Sequence, residues 1–335
     1  MIISQTPLRV SFFGGGTDYP VWYNENGGMV LASTIDKYCY ITCRRLPPFF
    51  DHTYRIIYSK IEHKKTLDEV IHPSVRETIR FSGISFGLEI HHDADLPARS
   101  GLGSSSSFTV GLLNALCALK GQMASKEQLA KDAIYIEQEM IKENVGSQDQ
   151  TMAAFGGFRL IKFQNGNDIE VKPVTVKQDR ISDLNNHLML FFTGFSRMAS
   201  EIAEEQIKNT PKKANELRKM FGLVSEAVSI LNSSNGSLLD FGKLLHETWC
   251  LKRTLTDKIS NSNIDEIYEN ARSAGAIGGK LLGAGGGGFL IVFAEPKYQQ
   301  AIKEKLNKLL LVPFQFESTG SRIIFYQPEN EYRDR

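Results

Sequence analysis

Hydrophobic and polar positions change period several times along the chain, and each change marks an element. Residues 8–13 (LRVSFF) form an apolar run broken by Gly14-Gly15-Gly16, which predicts a strand and a turn. Residues 31–45 are rich in β-branched and aromatic positions and predict a second strand, stopped by Pro47-Pro48. A strand over 54–58, a helix over 72–81 and a strand over 85–92 follow. Behind residues 95–108, Phe108, Leu112, Leu116 and Leu119 fall on one helical face. A helix is predicted over 125–143, opened by a capping box from Ser125 to Gln128. Leu129, Ala133, Ile136 and Met140 form one row of its apolar face, and Ala130, Ile134 and Ile141 the next. A strand at 158–163 closes the first half.

The polar stretch 171–183 reads as a boundary, dividing the chain into 1–175 and 176–335. Beyond it come a strand at 187–193 and helices at 196–209, 212–231, 237–258 and 263–273. A glycine-rich segment over 278–288 leads into a strand at 289–294. A helix over 298–310 and a strand at 323–326 complete a mixed second domain. There is no internal repeat.

Composition narrows the class. The 335 residues are 41% hydrophobic and 23% charged with a net charge of +1, which gives no support to nucleic acid or a membrane surface as partner. No apolar run is long enough to span a bilayer. The first residues lack the basic start and small-residue cleavage site of a signal peptide, so a cytoplasmic location is expected. Cys39, Cys43, Cys117 and Cys250 are too scattered for a disulfide framework and read as free thiols.

The chemistry concentrates in DLPARSGLGSSSSF, residues 95–108. Flexible residues there feed four serines at the start of a helix, where free backbone N–H groups and the helix dipole favour an anion. Serine hydroxyls can also ligate Mg²⁺. This is not a Walker A loop, because no Gly-Lys-Ser/Thr follows. Three other residues are open to two readings. Arg9 is either a strand-edge charge or a residue pointing into a site beside the glycine turn. Glu137 interrupts an apolar stripe, as an ion-pair partner or a metal ligand. Asp149, in VGSQDQ, is placed at a turn between elements, where an aspartate is an ordinary turn former. His91 and His92 are adjacent on a strand and cannot readily chelate together. Residues 283–288 match G-x-G-x-x-G, but the glycines precede a strand, so the dinucleotide reading is rejected.

Three glycine-rich segments together resemble the three motifs of the GHMP small-molecule kinases, named for galacto-, homoserine, mevalonate and phosphomevalonate kinases. PLRVSFFGGGTD is similar to the sugar-side motif, residues 97–107 to the P-x-x-x-G-L-G-S-S phosphate loop, and residues 280–288 to the late G-A-G-x-G-G loop. The resemblance implies an α+β, two-domain fold: an N-terminal α/β domain with a left-handed crossover and a C-terminal ferredoxin-like domain. It implies ATP and Mg²⁺ as cofactors. Asp149 is matched with the base and Arg9 with its charged neighbour; Ser105 and Glu137 are matched with the metal ligands. Arg99, Ser100, Gly101, Gly103, Ser104, Ser105, Ser106, Gly283, Ala284 and Gly285 are expected around ATP. Gly14, Gly15, Gly16, Thr17 and Asp18 are expected around the substrate, with Lys37 and Arg44 as nearby cations.

Within the family the wording is most similar to kinases that phosphorylate the anomeric hydroxyl of D-glycero-D-manno-heptose 7-phosphate. Where galactokinases carry Glu-His, this chain has Gly15-Gly16, which removes a charge that would repel a phosphate. The expected partners are ATP and a sugar phosphate, with a homodimer compatible with the sequence. Two alternatives remain open: a fucokinase-like enzyme of an unphosphorylated sugar, and a catalytically silent sugar or ATP sensor.

Overall fold

The structure is a computed structural model that describes residues 1–194, 199–233 and 236–327. Its first half is built on two long strands, β1 (Ile2–Phe13) and β2 (Gly28–Arg45), paired antiparallel over their whole length. β3 (Tyr54–Ile57), β4 (Ile61–Lys64), β5 (Leu88–Ala94), β6 (Phe158–Gln164) and β7 (Asp168–Pro173) extend this sheet. β2 is long enough for its second edge to be shared. Its C-terminal half pairs with β5 and its N-terminal half with β6. The second sheet is antiparallel, with order β11-β8-β10-β9: β8 (Leu188–Gly194), β9 (Gly278–Leu281), β10 (Gly288–Phe293) and β11 (Leu310–Leu311).

Two late strands do not stay with that second sheet. β12 (Phe316–Glu317) pairs with β2 at Ile35 and Thr34, and β13 (Arg322–Tyr326) pairs with β1 at Ile2–Gln5. The strand expected at 323–326 therefore completes the first sheet. Local propensity cannot foresee that outcome, because strand partners are set by long-range packing. β13 covers only the first third of the free edge of β1. Further along that edge, the Arg9 N–H donates to the carbonyl of Leu102 (3.0 Å), docking the serine loop on the strand.

The helices are α1 (Pro20–Asn26), α2 (Pro73–Ser82), α3 (Ser104–Leu119), α4 (Lys126–Tyr135), α5 (Gln148–Phe155), α6 (Gln178–Asn186), α7 (Ala199–Asn209), α8 (Ala214–Asn232), α9 (Leu239–Arg253), α10 (Ser262–Ser273) and α11 (Pro296–Lys305). The helix expected over 196–209 begins outside the described residues, and its remainder is α7. The Ser125 hydroxyl accepts from the Gln128 N–H (3.1 Å), as the capping pattern requires. The long helix expected over 125–143 is instead α4 followed by a π-helical turn, Ile136–Met140, closed by the Ile141 N–H on the carbonyl of Ile136 (2.9 Å). Such turns shift side-chain register by one residue and recur at functional sites. Here the turn carries Glu137.

One apolar core joins the halves. Phe12 and Phe13 on β1 meet the edge and face of Phe241 on α9, with ring centroids 5.6 and 5.0 Å apart. Leu190, Phe289 and Phe293 of the second sheet pack into the same cluster. Apolar burial of this kind, worth about 25 cal/mol per Å², fixes the two sheets relative to each other and so fixes the cleft between them.

Candidate active site

A cleft of about 430 Å³ opens between the two sheets. One wall begins with β1. Arg9 on this strand is 5% exposed, and a bare guanidinium at that depth would be costly. Asp149 answers it with two parallel hydrogen bonds, from Nε to Oδ1 (2.8 Å) and from Nη2 to Oδ2 (2.6 Å). The remaining nitrogen, Nη1, donates to the carbonyl of Gly101 (2.6 Å) in the serine loop. One arginine thus ties the acid to the loop. The fork geometry suits a carboxylate as no lysine could. Asp149 occupies the first turn of α5, not a turn between elements. Gln148 Nε2 donates to the same Oδ1 (3.1 Å) and is itself held by the Ser11 hydroxyl (2.8 Å).

The serine loop ends as its composition suggests. Gly103 is left-handed (φ 75°), and no side chain caps α3. The first intrahelical bond is made by the N–H of Ser107 to Gly103 (2.9 Å), so the preceding N–H groups at Ser104 and Ser105 are open toward the cleft that both residues line. Four features meet here: free donors, a helix dipole, closely approachable glycine, and hydroxyls. The late glycine segment packs directly on this loop. A Cβ on Gly283 would lie 2.4 Å from Gly101 Cα, and one on Gly288 would lie 2.3 Å from the Ser100 carbonyl oxygen. Backbone touches backbone, which only glycine permits.

Arg9, Gly15, Gly16, Asp18, Arg99, Gly101, Gly103, Ser104, Ser105, Asp149, Gly283 and Ala284 all line the cleft. Eight expected positions do not, and six of these have a structural occupation of their own. Gly14 and Thr17 hold the turn: a Cβ on Gly14 would fall 1.9 Å from the carbonyl oxygen of Met29, and the Thr17 hydroxyl donates to the Gly14 carbonyl (2.8 Å) and accepts from the Met29 N–H (3.1 Å). Ser100 is fully buried and donates to Pro97. Gly285 packs on the backbone of Ile259. Lys37 sits where the β1–β2 register shifts and pairs with its own neighbour Asp36 (3.0 Å). Arg44 pairs with Glu89, directly opposite it on β5. Since Arg9 faces Thr34 in register, Arg44 lies roughly 30 Å further along β2 at about 3.3 Å per residue.

Ser106 and Glu137 lie one layer behind the wall. Glu137 is fully buried, and its Oε2 accepts from the Ser106 hydroxyl (2.8 Å) and from Gln150. Burial pushes its carboxyl up to about 7. Its Oε1 is buried and accepts no hydrogen bond among the described residues. An unpartnered buried carboxylate oxygen next to the serine run is a donor that suits Mg²⁺, which takes few protein oxygens and completes its shell with phosphate and water. Among the described residues no three His, Cys, Asp or Glu side chains cluster as a self-sufficient metal site.

Asp18 is 8% exposed and receives the Gly16 N–H on Oδ1 (2.8 Å). Burial pushes its carboxyl up, and the Asp149 charge adds to that. Gly146 presses on it: a Cβ there would lie 2.1 Å from Asp18 Oδ2, although the backbone angle of Gly146 suits any residue. Gly146→Ala is therefore expected to displace Asp18 and raise the KM of the phosphoryl acceptor by at least about tenfold, with the KM of ATP little changed. Equal KM values in parent and variant would show that Asp18 does not position the acceptor.

Among the cleft residues that the sequence reading did not assign to the site are two lysines: Lys252, in the last turn of α9, and Lys280, on β9 where the late glycine segment begins. Both are buried. The signal was present but faint. Lys280 is the single charge in the apolar run GAIGGKLLGAG, and Lys252 stands three residues after Trp249 on the apolar side of its helix.

An anion cradle at a helix N-terminus beside an arginine-held carboxylate is the equipment of a small-molecule phosphotransferase. Comparison with known proteins agrees. The sequence model of the GHMP kinases N terminal domain matches residues 68–157, and that of the GHMP kinases C terminal domain matches residues 226–310. A D-glycero-alpha-D-manno-heptose 7-phosphate kinase of Campylobacter jejuni subsp. jejuni is 31% identical over 321 residues, covering 92% of this chain and 93% of the relative. The bifunctional fucokinase/GDP-fucose pyrophosphorylase of Arabidopsis thaliana is 26% identical over 87% of this chain, which spans only 30% of that longer protein. The crystal structure of a D-glycero-D-manno-heptose 1-phosphate kinase from Bacteriodes thetaiotaomicron shares the fold, with a TM-score of 0.72 at 24% identity over 96% of this chain and 98% of that one. The chain belongs to the GHMP kinases, a family of ATP-using phosphotransferases.

Proposed function

We propose that this chain transfers the γ-phosphoryl group of ATP to the anomeric hydroxyl of D-glycero-D-manno-heptose 7-phosphate, giving the 1,7-bisphosphate for nucleotide-activated heptose synthesis. The observation that carries the reaction type is the forked Arg9–Asp149 pair facing the open N-terminus of α3 across one cleft. The sugar is supported by the similarity to the Campylobacter jejuni heptose 7-phosphate kinase, and by the absence of any side chain at Gly15 and Gly16 where the substrate's phosphate end would approach.

In this reading Asp149 accepts the proton of the anomeric hydroxyl as its oxygen forms a bond to the γ-phosphorus and the bond to the β-phosphate oxygen breaks, releasing ADP. Arg9 holds Asp149 aligned, and its charge favours the negative charge gathering on the transferring group. The N–H groups at Ser104 and Ser105, with Gly101 and Gly103, hold the ATP phosphates. Asp18 hydrogen-bonds ring hydroxyls of the sugar. Ser105 and Glu137 would hold Mg²⁺, which would supply neutralisation of the phosphate charge.

The test is kcat/KM for heptose 7-phosphate, free heptose, galactose and fucose at saturating ATP. A preference of about a hundredfold or more for the phosphorylated sugar is expected, since a site that pairs a phosphate leaves its donors unsatisfied without one. Equal efficiency with free and phosphorylated heptose would overturn the choice of sugar and leave the phosphotransferase standing. The metal assignment has its own measurement. Ser105→Ala and Glu137→Gln should each raise the Mg²⁺ concentration for half-maximal rate by on the order of tenfold, because each loses an oxygen ligand. A response confined to Ser105→Ala would make Glu137 a packing residue only.

A further inference from the structure

The transfer scheme uses neither Lys252 nor Lys280, yet both are cleft residues only 6% and 2% exposed. Lys252 Nζ donates to the carbonyls of Leu281 (2.9 Å) and Gly283 (2.5 Å). Lys280 Nζ donates to the carbonyl of Phe12 (3.1 Å). An ammonium has three donors. Main-chain carbonyls therefore leave one unused on Lys252 and two on Lys280, and neither lysine forms an ion pair among the described residues. The Lys252 charge opposes ionisation of Lys280, and the Arg9 charge opposes that of both. Burial pushes Lys252 down to about 7 and Lys280 well below the ordinary lysine value, and neighbouring positive charge lowers both further. Such a pair is incomplete until an anion reaches it.

The position of the pair says which anion. Both lysines feel the charge of Arg9 and, less strongly, that of Asp18, and they share the cleft with Asp18 on its acceptor side. Lys280 reaches the main chain of Phe12, just ahead of the glycine turn, and Gly15 and Gly16 interpose no side chain. Of the other cations, Arg9, Lys37 and Arg44 are engaged or distant, and Arg99 lines the cleft from the serine loop, on the side of the open α3 N-terminus. Arg9 spends Nε and Nη2 on Asp149 and Nη1 on Gly101. Lys37 and Arg44 pair with acids outside the cleft. We infer that Lys252 and Lys280 form the subsite for the phosphate that the acceptor itself carries, remote from the group transferred. This rests on reading the acceptor as a sugar phosphate, and it assigns the selectivity for it to two residues of the second domain.

The test uses the full chain with Lys252→Met and Lys280→Met. Methionine keeps the length of the side chain and removes a buried charge, a change that is often neutral or stabilising for a fold. Selectivity is the ratio of kcat/KM for heptose 7-phosphate to that for free heptose at saturating ATP. Either variant is expected to reduce that ratio by about a hundredfold, chiefly through a higher KM for the sugar phosphate. If both sugars lose efficiency together and the ratio survives, the lysines serve the transferring phosphoryl and the assignment is overturned. A parent ratio near one would instead overturn the choice of sugar, and the subsite with it. Calorimetry gives a second readout without turnover. Binding of heptose 7-phosphate at pH 8, in buffers of different ionisation enthalpy, should show proton uptake by the parent chain and less by Lys280→Met. Unchanged affinity and uptake in both variants would also overturn it.

Discussion

Asp149→Asn is expected to bind ATP as the parent chain does and to turn over about 10²–10⁴ times more slowly, the usual contribution of a general base. The geometry explains why the loss should appear in kcat. Both carboxylate oxygens of Asp149 accept from Arg9, and Oδ1 also accepts from Gln148. An amide must turn an N–H toward one of those donors, and it cannot accept the proton of the hydroxyl. The phosphate cradle is left alone, because Arg9 still donates to the carbonyls of Gly101 and Leu102 in the loop. Steady-state kcat and the KM of ATP, measured on the same preparation, check this. Turnover close to the parent's would mean that the transfer proceeds on positioning and electrostatics without a base, a course open to loose phosphoryl-transfer transition states.

The phosphate loop was legible because glycine and serine report backbone geometry directly. Four serines after Gly101 and Gly103 can hardly mean anything but a helix start with exposed N–H groups. Glu137 was legible because it breaks an apolar row, and the structure buries it completely. The π-helical turn that carries it was not, since one extra residue in a helix leaves no compositional mark. Asp149 and Arg9 looked ordinary alone and take on meaning only across a separation of 140 residues. Long strands concealed the distance of Arg44: it shares β2 with Thr34, which pairs with Arg9, and sequence proximity on a strand says little about distance along it. Lys252 and Lys280 were missed for the opposite reason. A lysine at the end of a helix reads as a dipole partner and one on a strand as surface, until tertiary packing buries both.

Arg9 is the residue on which the two halves of the chemistry converge, and its replacement should be the second large loss. Arg9→Met removes the fork that fixes Asp149 and the donor that holds the Gly101 carbonyl (2.6 Å). A fall in kcat of about 10³ is expected, comparable to losing an arginine that stabilises a transferring phosphoryl group. The KM of ATP should rise several-fold as well, because the loop loses its tether. Arg9→Lys restores the charge but not two parallel bonds, so it should recover only part of kcat. The sharper measurement is the double variant. If Arg9 acts largely through Asp149, the change Arg9→Met should cost far less in an Asp149→Asn background than in the parent, since the carboxylate it serves is already gone. The double variant should then be no more than about tenfold slower than the slower single variant. Losses that simply multiply would show the two side chains acting independently, with Arg9 working on the phosphoryl group and not through the base.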